Sequence, residues 1–260
     1  MQVQYLLPSL RLSPLVNGIL VIRYEGAPEF TLPLFANGSP VIIFQTTAAK
    51  TRVGKVGHLT LYGQTIRPDE LLIAGNFTLI AWFLQPHTLK PLLQTGARQL
   101  TDDCIDISYF RQAREKSLEE RLLNTSDLIK QLQLMEEFLT GLPSMDENDI
   151  ERVNFAVAQI KNSRGLYSLT TLQDELNVTE RTMQRLFENN VGMSAKLFRR
   201  VCQFDAAFQQ LNQLQFDKLS DVAFEHGYAD QSHFTRVFRE FTGLTPKEYL
   251  ARRQQYTPVF

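Results

Sequence analysis

Gly227-Tyr-Ala-Asp-Gln-Ser-His-Phe-Thr-Arg-Val-Phe-Arg239 has an earlier counterpart in Asn177-Val-Thr-Glu-Arg-Thr-Met-Gln-Arg-Leu-Phe-Glu188. Upstream of both, Leu169-Thr-Thr-Leu172 matches Leu219-Ser-Asp-Val222 at an offset of 50 residues, and Asn177-Val178 falls on Gly227-Tyr228 at the same offset. The offset then becomes 51, which lays Arg185 on Arg236, Phe187 on Phe238, Gly192 on Gly243, Ser194 on Thr245 and Phe198 on Tyr249. Self-similarity at a fixed period marks one supersecondary unit used twice.

Each copy reads as helix, tight turn, helix, which is the grammar of a helix-turn-helix. Asn177 and Gly227 are residue types that tolerate a positive φ in the turn, and Thr179 and Asp230 can cap the helices that follow. In the second helix of copy one, Met183, Leu186 and Phe187 share the inward face, and Arg181, Gln184, Arg185 and Glu188 lie opposite at spacings of three and four. In copy two Phe234, Val237 and Phe238 face in, while Ser232, Thr235, Arg236 and Arg239 face out and Gln231 stands at the helix start. Arg forks onto guanine and Gln onto adenine, so these outward faces suit base edges and phosphates better than a plain solvated face of Lys and Glu would. Between the copies, Leu197, Phe198, Val201, Phe204, Phe208 and Leu211 recur at helical spacing, as expected of a helix that fixes one unit relative to the other.

These strings, with Val191-Gly-Met-Ser194 and Thr242-Gly-Leu-Thr-Pro-Lys-Glu-Tyr249, resemble the DNA-binding domain of AraC/XylS-type bacterial transcription regulators over about residues 150–253. Asn177 stands where Gly is commoner, and Tyr228 and Ala229 where Phe and Ser are. The resemblance implies seven helices and two helix-turn-helix units that enter successive major-groove segments about one turn apart. Carried over residue by residue, it makes Arg181, Gln184, Arg185, Gln231, Ser232, Thr235 and Arg236 the base-reading candidates, with Arg239 beside them on the DNA face; for each, a phosphate contact or an ordinary surface position is the competing reading. The partners it implies are double-stranded promoter or operator DNA, a small-molecule effector, RNA polymerase and a second copy of the chain.

The first hundred residues have a different period. Gly18–Tyr24, Phe30–Phe35, Val41–Thr46, His58–Tyr62, Leu71–Ala74 and Phe77–Leu84 are β-branched or aromatic runs, with the turn cluster Asn37-Gly38-Ser39-Pro40 between two of them. Leu71–Leu89 carries no Asp, Glu, Lys or Arg, but Gly75-Asn76 and Gln85-Pro86-His87 break it into strand-sized pieces rather than a membrane span. This half resembles, less specifically, the β-rich sensory domains that precede such DNA-binding domains, which implies a cupin-like barrel followed by helices. Phe44, Tyr62 and Trp82, with Phe77 and Phe83, are the aromatic residues that would line an effector pocket there, against the alternative that they form core.

A short helix is expected over His87–Gln94, another over Ser117–Leu123, then capping by Asn124-Thr-Ser126 and a stripe of Leu128, Ile129, Leu132, Met135, Phe138 and Leu139 that buries within the chain or against a second copy. Gly141, Pro143 and Asp146-Glu-Asn-Asp149 read as a linker. Ile150, Val153, Phe155, Val157 and Ile160 line the next helix, which Gly165 ends, and Ser168 caps its successor. The fold class is therefore α+β: a cupin-like β-barrel or sandwich over 1–100, a helical linker and dimerisation region over 101–145, and an all-α domain with two helix-turn-helix motifs over 146–260.

Composition agrees with an ordinary folded chain: 260 residues, 43% hydrophobic and 21% charged. Net charge is −1, yet Thr179–Arg200 holds five basic residues against two acidic, and Tyr228–Arg253 holds five against three. Cys104 and Cys202 fit no metal or redox spacing and are expected as free thiols; without a signal-peptide pattern at Met1–Arg11 the chain is expected in the cytoplasm. Four histidines (His58, His87, His226, His233) form no ligand motif, and no Gly-x-Ser-x-Gly, phosphate loop or Cys-His pairing occurs, so neither cofactor, metal nor catalysis is expected. The competing reading is a metal-free β-barrel enzyme or binding protein with an unused helical module.

Overall fold

A computed structural model describes residues 1–26, 29–52, 54–93, 95–142 and 147–252. Pro143, Asp146, Gln94 and Arg253, named above, lie outside the described residues, as do the side chains of residues 147–149. Among these residues ten strands come first: β1 (Gln2–Leu6), β2 (Val16–Tyr24), β3 (Glu29–Leu34), β4 (Val41–Gln45), β5 (Ala49–Thr51), β6 (Gly54–Val56), β7 (Leu59–Tyr62), β8 (Asp69–Ala74), β9 (Phe77–Leu84) and β10 (Cys104–Asp106). They form two antiparallel sheets, one ordered β1-β2-β9-β4-β7-β10 and one ordered β3-β8-β5-β6.

The side-chain period of two decides how those sheets are layered. On β4, Ile42 and Phe44 point to one side and Val41 and Ile43 to the other; on β9, Ile80, Trp82 and Leu84 oppose Phe77, Leu79 and Ala81. One set packs under the helices that follow the strands, and the other packs against the small sheet. Both central strands are thus covered on both faces, which is why they read as unbroken apolar runs. The barrel alternative is corrected here: the ladders stay separate as two open sheets, because the outer face of the large sheet is closed by helices rather than by curling onto the small one. The suspected membrane stretch is β8 and β9, and no helix among the described residues is long and apolar enough to cross a membrane.

The covering helices are α1 (Leu89–Leu93, after a 3-10 turn at Pro86–Thr88), α2 (Arg111–Glu115), α3 (Leu118–Leu123) and α4 (Leu128–Thr140). Asp127, not Asn124-Thr-Ser126, caps α4: its carboxylate accepts from the Ile129 N–H, and Thr125 only supports it by accepting from the Asp127 N–H. Of the stripe offered for dimerisation, Met135, Phe138 and Leu139 are buried against this chain's own sheet, Leu128 and Leu132 pack beside them, and Ile129 remains exposed.

Seven helices follow among the described residues: α5 (Glu147–Asn162), α6 (Leu169–Leu176), α7 (Glu180–Asn190), α8 (Ala195–Asn212), α9 (Leu219–Glu225), α10 (Gln231–Thr242) and α11 (Pro246–Arg252). Gly165 ends the α5 segment with φ of 75°, its N–H donating to the Ile160 carbonyl. Ala156 takes the inward place on α5 expected for Phe155, which is 40% exposed. The core of this half is unusually aromatic, with Phe204 and Phe208 of α8 against Phe238 at 5.6 and 5.9 Å between ring centroids.

Candidate DNA-reading surface and effector cavities

The first unit is α6 and α7, the second α9 and α10, and α8 packs against both. The extra residue inferred from the repeat is visible in the turns. Leu169 and Leu219 open α6 and α9, 50 residues apart, whereas Glu180 and Gln231 open α7 and α10, 51 apart, so the additional residue sits in the second turn. Asn177 adopts the left-handed region at φ 50° and Gly227 at φ 71°, as a sharp turn between two helices requires. The Leu166 side chain lies 2.7 Å from the place a Cβ would occupy at Gly227, so a side chain there is strained by the positive φ and would also have to displace the end of Leu166. Thr179 accepts from the Thr182 N–H and Asp230 from the His233 N–H, which holds the first turn of each second helix.

Burial divides α7 and α10 as the spacing demands. Met183, Leu186 and Phe187 are buried, as are Phe234, Val237 and Phe238. Arg181, Gln184 and Arg185 on α7 are exposed, as are Gln231, Ser232, Arg236 and Arg239 on α10, with Thr235 half-buried. Arg181, Arg185, Arg236 and Arg239 make no hydrogen bond or ion pair among the described residues. Gln184 is held: its side-chain amide donates to Glu188 at 3.0 Å, and Glu188 also receives Arg98 at 2.9 Å. His226 is buried, its Nε2 2.7 Å from the Gln210 side-chain oxygen, and burial and the nearby Arg164 pull its pKa down; His233 stands edge-on to Tyr228.

Of the aromatic residues considered for an effector, Phe83 lines a large cavity, whereas Phe44, Tyr62 and Trp82 do not. Phe44 and Trp82 are fully buried between the large sheet and its helices, and Tyr62 lies between the sheets beside a space of only about 20 Å³. Burial pushes the Tyr62 phenol well above its ordinary range. The space between the sheets, lined by Leu20, Ile43 and Ala81 among others, is about 40 Å³. A much larger cavity of about 550 Å³ opens where β1, the start of β2 and the Asn37–Ser39 turn meet the end of α5 and the middle of α8. No group of three or more His, Cys, Asp or Glu residues placed to hold a metal occurs among the described residues. His58 faces the Gln45 carbonyl and His87 faces Asn154.

Residues 172–252 match the model of a helix-turn-helix domain, and residues 4–106 match a domain of unknown function, DUF6597. The transcriptional activator RhaR of Yersinia pseudotuberculosis is 27% identical over 105 residues, which is 40% of this chain and 36% of that protein. An HTH-type transcriptional regulator of Haemophilus influenzae is 27% identical over 188 residues, 70% of this chain and 63% of its own. The chain therefore spans about a third of the RhaR relatives and under two thirds of the Haemophilus protein. The crystal structure of ToxT from Vibrio cholerae, solved with an unsaturated fatty acid bound, superposes with a TM-score of 0.51 at 14% identity, covering 93% of this chain and 96% of that one. Residues 172–252 are therefore similar to helix-turn-helix domains, and the two-part fold is similar to that of ToxT.

In this chain the halves are joined more closely than the sequence suggested. Phe35, just after β3, is 8% exposed and sits in the helical core, edge-on to Phe208 at 5.6 Å and Tyr249 at 6.3 Å. Gly38 lies against α8, where an added Cβ would meet Phe198 at 3.2 Å. Residues 96–101 brace the far end of α7: the Thr101 hydroxyl donates to the Gly192 carbonyl at 2.6 Å and Arg98 reaches Glu188. Phe35 was legible only as a strand residue and Asn37-Gly38-Ser39 only as a turn; no local pattern says which surface a turn inserts into.

Proposed function

We propose that the chain is a cytoplasmic, sequence-specific DNA-binding transcription regulator that responds to a small-molecule effector and performs no catalysis. The observation that carries this reading is the pair α7 and α10. Each has a capped start, a buried apolar face and an exposed face bearing Arg and Gln, joined on α10 by Ser232, and α8 links the two. Unpaired guanidinium groups on such a face supply the phosphate neutralisation that drives association and the forked donors that read guanine. Arg181, Gln184, Arg185, Gln231, Ser232, Thr235, Arg236 and Arg239 are assigned to that surface. RhaR, named as a transcriptional activator, and ToxT, crystallised with a fatty acid, support a regulator with an effector. Residues 1–100 serve as the sensory part, 101–145 as the connecting helices and 146–260 as the DNA-binding part. RNA polymerase and a second copy of the chain complete the set of partners.

The test is a salt titration of binding to a selected operator and to random duplex. Groove reading predicts log affinity falling linearly with log salt, with a specific increment that survives the titration. Equal affinity for the two duplexes at every salt concentration would remove the proposal.

A further inference from the structure

The 550 Å³ cavity at the seam lies within the roughly 300–1,000 Å³ range of small-molecule sites. Its apolar wall is Tyr5, Leu6, Leu7 and Phe83 from the sheet, and its polar wall includes Lys161 and Arg164 at the end of the α5 segment and Asp205 on α8. Lys161 is the unusual member. Its ammonium is largely buried, yet among the described residues it makes one hydrogen bond, a long one of 3.4 Å to the Ser39 hydroxyl, which Asn17 also engages at 3.2 Å. An ammonium carries three donors, and leaving a buried cation so poorly matched is unfavourable unless something else completes it.

The neighbouring carboxyl does not complete it. Asp205 is near enough to feel Lys161 but forms no ion pair with it; its own hydrogen bond comes from Gln209 at 3.3 Å. Burial pushes the Asp205 pKa up to about 7 and pulls the Lys161 pKa down, so each charge lacks an adequate partner. Two cationic side chains, Lys161 and Arg164, thus line the cavity against the one carboxyl of Asp205, beside a wall of aliphatic and aromatic carbon, and an anionic group there would supply the partner that Lys161 lacks.

We propose that this seam cavity is the effector site and that it takes a small amphiphilic carboxylate, its anionic end on Lys161 and Arg164 and its apolar body against Tyr5, Leu6, Leu7 and Phe83. This rests on the regulator reading for the word effector, but the binding itself does not. A ligand there touches both halves at once, and it borders Asn37 and Ser39, which lie in the same turn that seats Phe35 in the helical core. Differential contact with two elements is what a ligand needs in order to shift their arrangement.

The experiment is isothermal titration of the full chain with three probes of one shape: 4-phenylbutyrate, 4-phenylbutanol and 4-phenylbutylammonium. The carboxylate is expected to bind at least tenfold more tightly than the alcohol, and the ammonium more weakly than either. Lys161→Met should reduce carboxylate affinity at least tenfold, to the level of the alcohol, while melting no lower than the parent because a poorly matched buried charge has gone. Asp205→Asn should retain or improve carboxylate binding. If Lys161→Met fails to fold, Ala206→Leu, which fills the cavity, must abolish binding with the helical signal intact. Equal binding of carboxylate and alcohol, preference for the ammonium, an unaltered Lys161→Met, or no binding of the carboxylate at millimolar concentration would each overturn the assignment. DNA affinity measured on the same preparations separates the two readings. Probe binding without operator recognition removes only the regulator, and operator recognition without probe binding removes only this site.

Discussion

Replacing Phe35 by Ala tests whether the two halves of the chain unfold as one. The ring is 8% exposed and belongs to the core of the helical half although it follows β3 directly. Truncating a buried Phe to Ala typically costs about 3–5 kcal/mol, and the two edge-on pairs with Phe208 and Tyr249 place this site at the upper end of that range. Most of the loss falls on the coupling between the halves, because the ring comes from the strand half and is buried in the helical core. The chain has a single tryptophan, Trp82, fully buried under the helices of the β-rich half, so its fluorescence reports that half while helical circular dichroism is dominated by residues 147–252. In urea the parent should give coincident transitions by the two probes. With a slope of about 2–3 kcal/mol per molar, Phe35→Ala should move the helical transition down by about 1–2 M and split it from the fluorescence transition. A variant whose two curves still coincide and shift by less than about 0.3 M would refute the idea that Phe35 joins the halves.

Arg236→Ala and Gln184→Ala should each weaken specific operator binding by about 1–3 kcal/mol for a lost base contact, read by anisotropy against random duplex; a loss equal on both duplexes would reassign the side chain to a phosphate. Glu188→Gln releases Gln184 and Arg98 together, and since Arg98 is 71% exposed the stability change should stay within about 1 kcal/mol while sequence preference at the Gln184 position broadens in a selection experiment. The Asp205 carboxyl, raised to about 7 by burial, binds its proton more tightly folded than unfolded, so between about pH 4 and 7 it makes stability fall as pH rises, by at most about 1.4 kcal/mol per unit. Asp205→Asn should flatten that slope in thermal melts, and an unchanged slope would place the titration elsewhere. His226, lowered by burial, acts in the other sense: its contribution is present above its ordinary pKa and is lost as pH falls below it, so His226→Gln should soften acid unfolding followed by circular dichroism.

How much of this could be read from sequence depends on whether the signal is local. The helix-turn-helix pairs were legible because a turn needs a residue such as Asn177 or Gly227, a cap needs Thr179 or Asp230, and an amphipathic face repeats every three or four residues; even the single inserted residue showed as a change of offset before it showed as a longer turn. The central strands were legible too, though their double-sided burial left Phe44 and Trp82 equally able to be core or pocket, and only the layering on both faces settles which faces have room. What was not legible is how the halves meet. Phe35, Gly38, Ser39, Lys161, Cys202 and Asp205 come from three separated segments, and each looks ordinary alone: an aromatic at a strand end, a turn, a lysine late in a helix, two residues on a connecting helix. Their meaning comes from juxtaposition. One turn, Asn37-Gly38-Ser39, simultaneously walls the large cavity, packs on α8 and follows the residue that plugs the helical core, so any occupant of the cavity and any movement of α8 share the same few atoms. Since α8 lines the cavity and packs against α7, α9 and α10, it is the element through which an occupant of the cavity adjoins both helix-turn-helix units.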